Sequence, residues 1–113
     1  MKAYSYLQLS IMQHNDQLPD DYMDTMERIA VNKTPDEFYS QEFKPELITE
    51  LFEGWELSED GVYYNDDIYI DYDCNGDGLN ICYSGVSIVP MPRTLDDFIN
   101  DAERVGIELE WKR

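Results

Sequence analysis

Residues 68–83, IYIDYDCNGDGLNICY, alternate apolar and polar side chains on either side of an Asn75-Gly76 pair. Asn-Gly is the strongest two-residue hairpin signal, because a type I′ turn needs φ > 0 at both positions and both residue types accept it. A turn there pairs Tyr72 with Leu79, Ile70 with Ile81 and Ile68 with Tyr83, so three apolar pairs face the core together. Cys74 then shares the core-side parity of Ile70, and Cys82 lies on the other face opposite Tyr69. That separation excludes a disulfide across the hairpin, and both cysteines are expected as free thiols. The same stretch also opens like a calcium loop, since Asp73, Asn75, Asp77 and Gly78 fit D-x-[DN]-x-[DN]-G. The fit stops at Asn80, where an aliphatic is usual, and at Ser84, where a bidentate Glu is needed. An EF-hand also needs flanking helices, and both flanks here have strand periodicity. The hairpin is the better reading.

The rest of the chain supplies helices to cover it. LPDDYMDTMERIA (18–30) places Tyr22, Met23, Met26, Ile29 and Ala30 on one stripe, with Pro19 and two Asp residues in the first turn, where the dipole favours acids. Thr34-Pro35-Asp36-Glu37 reads as a capping-box start ahead of Phe38 and Tyr39. PELITELFEG (45–54) has Leu47, Ile48, Leu51 and Phe52 on one face and Gly54 as its stop. Thr94-Leu95-Asp96-Asp97 caps a helix carrying Leu95, Phe98, Ile99, Ala102 and Val105, closed by Gly106. Residues 4–12, YSYLQLSIM, alternate Leu7, Leu9 and Ile11 and predict a strand. WEL (55–57) and VYY (62–64) add to the meander, and IELEW (107–111) predicts a last strand. The expected fold is α+β: one compact domain over 1–113, with a mostly antiparallel sheet and helices packed on one face. Trp55 and Trp111 are expected in the core, and Tyr63, Tyr64 and Tyr69 near an outer face.

Charge is the second constraint. Asp and Glu total 25 against 8 Lys and Arg, a formal net charge of −17. Between Lys44 and Arg93 there is no basic residue, while Glu46, Glu50, Glu53, Glu56, Glu59, Asp60, Asp66, Asp67, Asp71, Asp73 and Asp77 all fall there. Such a field repels nucleic acid and anionic membranes and attracts basic protein surfaces. On the hairpin's outer face Asp67, Tyr69, Asp71 and Asp73 are expected in a row along one strand, about 6.6–6.8 Å apart. A row like that can present carboxylates as a phosphate backbone does and engage Arg and Lys. A purely solvating acidic face would account for the carboxylates too, but such a face ordinarily mixes both signs.

Catalytic chemistry has little to stand on. The single histidine, His14, follows the first predicted element and reads as a surface or capping group. Neither cysteine is placed to have its thiol activated, and no CxxC or Cys/His spacing suggests a metal. No glycine-rich phosphate cradle occurs. No catalytic residue, metal ligand or cofactor is expected, and the chain reads as a non-enzyme. No apolar run spans a bilayer, and MKAYSYLQLSIMQHND lacks a signal peptide's apolar centre, so a cytoplasmic location is expected.

LFEGW (51–55), GVYYNDDIYIDYD (61–73), ICYSG (81–85) and RTLDDFINDAERVGIEL (93–109) together resemble an arrangement found in small uncharacterised proteins of bacterial phages and mobile elements. These segments fall within 51–109, a span of about half the chain, and most of the pattern is core periodicity. The resemblance implies a mobile-element context, hence a host-cell cytoplasm, and no activity. In size and acidity the chain is also similar to phage anti-restriction and anti-CRISPR inhibitors. The expected function is an acidic inhibitor, monomeric or a small homo-oligomer, that covers the basic surface of a nuclease or other nucleic-acid-binding effector. Asp66, Asp67, Tyr69, Asp71, Asp73 and Asp77 are the expected contacts. The alternative is a small virion or accessory assembly protein.

Overall fold

The computed structural model of the chain describes residues 2–30, 33–72, 76–83 and 85–112. Among them are five helices and one five-stranded antiparallel sheet. Four helices come first: α1 (Tyr6–His14), α2 (Tyr22–Ala30), α3 (Pro35–Ser40) and α4 (Glu46–Leu51). The meander β1 (Glu56–Leu57), β2 (Tyr63–Asn65), β3 (Ile68–Tyr72), β4 (Gly78–Cys82) and β5 (Val86–Pro90) follows, and α5 (Leu95–Arg104) closes the order. The strands lie in sequence order, β1-β2-β3-β4-β5, so every connection is a hairpin. The α+β class holds.

The register of the central hairpin is the one the Asn75-Gly76 turn requires. Tyr72 pairs with Leu79, Ile70 with Ile81 and Tyr69 with Cys82. The calcium-loop pattern, with Asp73, Cys74, Asn75 and Ser84, falls largely outside the described residues. Of the three apolar pairs expected toward the core, Ile70, Leu79 and Ile81 are buried, whereas Tyr72 and Tyr83 stay about half exposed. Tyr63, expected outside, pairs with Ile70 and is buried, because its parity on β2 is the core parity.

The helices pack their apolar stripes on that same face. In α5, Leu95, Phe98, Ile99 and Ala102 are all at most 1% exposed. Thr94 forms a complete capping box with Asp97, accepting from its N–H at 3.1 Å and donating its own N–H to the carboxylate at 3.3 Å. The core is aromatic: Phe52 stacks on Trp111 with centroids 5.2 Å apart, and Phe43 on Phe98 at 4.8 Å. Its polar atoms are paired. Tyr22 Oη accepts from Trp111 Nε1 (3.1 Å) and from the Tyr4 N–H (3.3 Å), while Tyr39 Oη donates to the Tyr4 carbonyl at 2.7 Å. At the helix-to-sheet junction Gly54 takes φ 87°, and a Cβ there would come within 3.0 Å of the Asn65 side chain. Glycine is required at that position.

Two expectations are corrected. Residues 6–14 form a helix, not a strand. Ser5 caps it by accepting from the Gln8 N–H, and Leu9 points inward, while Leu7 (67% exposed) and Ile11 (49%) lie on the solvent side. Apolar residues on both sides of a short helix imitate period two. The cue overlooked is Ser5-x-x-Gln8, a capping-box spacing. The tail 107–111 is extended and buries Ile107, Leu109 and Trp111 alternately, but it joins no sheet. Its ladder pairing is confined to the isolated bridges Lys2–Glu110 and Phe52–Trp111, with the Ala3 N–H donating to the Leu109 carbonyl at 2.7 Å and the Glu53 N–H to the Glu110 carbonyl at 2.9 Å.

Candidate partner-binding face

Helices cover one face of the sheet, and the residues of opposite parity face away from them. Following the register across the strands gives one row, Glu56–Tyr64–Tyr69–Cys82–Val86, and beside it a second, Asp71–Asn80–Ile88. Cross-strand neighbours at such positions have Cβ atoms about 4.5–5.5 Å apart, so each row is a line of neighbouring side chains. Tyr69 is 49% exposed, Val86 70% and Ile88 67%. Tyr64 Oη donates to Glu56 Oε2 at 2.8 Å, and this hydrogen bond is the main reason the Tyr64 hydroxyl titrates above its ordinary range. Asn80 Nδ2 donates to the Tyr72 carbonyl at 3.3 Å, fixing the amide within the face.

The acidic residues singled out from the sequence do not form one row. Tyr69 and Asp71 share the outer face of β3, two residues apart. Asp66 and Asp67 are the two-residue turn between β2 and β3, with Asp66 at φ 51°, so Asp67 is a turn residue and not a strand residue. Asp66 tolerates that backbone because its short polar side chain suits the left-handed region. Asp77 lies past the other end of β3, where its carbonyl accepts from the Met91 N–H at 3.2 Å. Five strand residues at about 3.4 Å each put roughly 17 Å between the two turns. Asp73 lies outside the described residues. The result is an aromatic and aliphatic centre with carboxylates at its ends and along one side. Val86 and Ile88 were not anticipated, although Gly85 followed by Val-Ser-Ile-Val has the alternation of a strand.

Elsewhere, an open cavity of about 270 Å³ is lined by Tyr6, Asp36, Tyr39, Ser40, Thr94 and Asp96. A hydrogen bond to Asp36 raises the titration range of the Tyr6 hydroxyl, and Asp96 Oδ1 accepts from the Tyr6 N–H at 2.8 Å. Both acids occupy first turns of helices, where the dipole already favours them. His14 is exposed in the last turn of α1. Cys82 is a free thiol, half-buried in the first row. Asp101 pairs with Arg104, yet burial pushes its carboxyl above the usual range. Among the described residues no three His, Cys, Asp or Glu side chains are placed to hold a metal ion, and no helix is long and apolar enough to cross a membrane.

No family model matches the chain, and neither a curated protein nor a solved structure matches it.

Proposed function

We propose that the chain is a non-enzymatic inhibitor that docks its open sheet face onto the basic surface of a nucleic-acid-binding protein, in a phage or mobile-element setting. One observation carries the reading: the whole sheet, residues 56–90, contains no Lys or Arg and leaves one face uncovered. Interfaces of stable complexes have an apolar, aromatic-rich centre and a polar rim, and Tyr64, Tyr69, Val86 and Ile88 between Glu56, Asp66, Asp67, Asp71 and Asp77 match that anatomy. A cleft evolved to hold phosphates is the basic surface most common in a cell, and a defence nuclease is a partner of that kind. Steering by a net charge of −17 makes association fast and salt-sensitive.

The test is retention of a host protein on the immobilised chain across a salt series, followed by competition with that protein's own nucleic acid. The expected outcome is one stoichiometric basic partner that exchanges with nucleic acid and is lost on Asp67→Lys with Asp71→Lys. Undiminished binding by that double variant would sink the proposal.

One observation favours a second reading. β5 is an edge strand with Val86 and Ile88 exposed, and uncovered apolar edges invite strand pairing. An assembly protein would self-associate through it. Sizing chromatography at moderate salt separates the two, since an inhibitor elutes as a monomer or small oligomer.

A further inference from the structure

The geometry points to arginine, rather than basic charge in general, as the group this face recognises; the inference rests on the basic-partner reading above. Two tyrosines stand directly opposite each other on β2 and β3, Tyr64 against Tyr69. Each has a carboxylate beside it on the same face. Glu56 is hydrogen-bonded to the Tyr64 hydroxyl at 2.8 Å, and Asp71 follows Tyr69 at the next outward position of β3, about 6.8 Å along the strand. The arrangement is thus a doubled pair: ring and carboxylate, then ring and carboxylate again.

A guanidinium is planar, weakly hydrated and forked. It lies flat on an aromatic ring while its N–H groups reach a carboxylate at the ring's edge. A lysine ammonium is a strongly hydrated point charge and uses only the carboxylate well. The strands that carry these seats bring no cation of their own, since residues 45–92 contain neither Lys nor Arg. Among the described residues a cation–ring contact, Lys2 over Tyr4 at 5.5 Å, lies far away in sequence. Val86 and Ile88, both exposed, continue the face beyond Cys82 and Asn80 and offer apolar surface that a bound partner would cover on one flank of the seats. Aromatic anchors paired with arginine in a water-excluding surround are what concentrates binding energy in protein interfaces.

The experiment compares an octa-arginine and an octa-lysine peptide of equal charge, each titrated into the isotope-labelled full chain at fixed salt and followed residue by residue by NMR. Each exposed cation–ring contact amounts to roughly a two- to fivefold gain, so two seats predict that octa-arginine binds about tenfold more tightly. Its shifts should centre on Tyr64, Tyr69 and Asp71. Tyr69→Leu keeps the apolar area, removes the ring, and should bring the ratio down to about threefold. Equal affinities with shifts on the sheet face would overturn the arginine inference and leave the basic-partner reading intact. Shifts centred on the Tyr6–Asp36 cavity, or a ratio unmoved by Tyr69→Leu, would overturn it as well. If neither peptide bound, both readings would fall together.

Discussion

The helical part of the molecule, residues 2–55 with 91–112, buries Tyr22, Phe38, Tyr39, Phe52, Phe98 and Trp111 almost completely, and its inner hydroxyls and indole are hydrogen-bonded. Among the described residues, the sheet (56–90) buries five hydrophobic side chains (Tyr63, Ile70, Leu79, Ile81 and Val89) and holds six of the eight large apolar side chains that are exposed. Both parts come from one chain with one overall composition. Their difference separates two tasks: the helical part supplies stability, and the sheet presents surface. A residue type therefore means opposite things in the two places. Tyrosine is a polar peg at Tyr22 and Tyr39 in the first and an exposed platform at Tyr69, Tyr72 and Tyr83 in the second.

The largest effects of breaking this contrast lie in the helical part. Trp111→Ala removes a ring stacked on Phe52 and the donor to Tyr22, and should cost about 3–5 kcal/mol, read as a drop in denaturant midpoint. Tyr22→Phe leaves the ring but strands the Trp111 N–H in the core. A loss of about 1–3 kcal/mol is expected by the same measurement. Alkaline pH attacks the same network. Burial and the neighbouring Tyr22 raise the Tyr39 hydroxyl far above its ordinary 10.0, so the fold holds Tyr39 neutral while the unfolded chain ionises. Its contribution is complete below pH 10 and falls as pH rises beyond it. Thermal melts above pH 10 should show this decline, and Tyr39→Phe should flatten it at the cost of the hydrogen bond to Tyr4. Thr94→Ala, which opens the capping box of α5, should lower stability by about 1 kcal/mol. Smallest of all, Ile88→Ser on the open face should leave the melting temperature within the change of about 0.5 kcal/mol usual for surface sites. A large loss there would mean that the sheet face is structural after all.

Where side-chain period and turn chemistry agreed, the sequence was legible. Asn75-Gly76 with its flanking alternation gave the β3–β4 register, and Thr94 with Asp97 gave the start of α5. Helix α1 was misread because Leu7 and Ile11 are apolar on a solvent face, which tertiary context allows and periodicity does not foresee. Asp66, Asp67, Tyr69, Asp71 and Asp77 were legible as an acidic stretch, but not as a shape. Their spacing fits a strand as well as it fits two turns joined by one, and only the short loop Asp66-Asp67 between Asn65 and Ile68 decides it. The second half of the face was missed for a different reason. Val86 and Ile88 adjoin Tyr69 and Asp71 only through two strand pairings, which no local pattern records.

The start of α1 is held from far along the chain. The Ser5 N–H donates to Glu103 at 3.1 Å and the Tyr6 N–H to Asp96 at 2.8 Å, across 98 and 90 positions of sequence. During synthesis at about 5–20 residues per second, the first helix is made roughly 5–20 s before the acids that fix it leave the ribosome. Through that interval the first N–H groups of α1 lack these acceptors, and the nine-residue helix is by itself shorter than the length at which isolated helices persist. The N-terminal junction is therefore completed by the last helix made. Contacts with Tyr22 and Tyr39 can form early, but the capping of the first turn of α1 is completed only when α5 is in place.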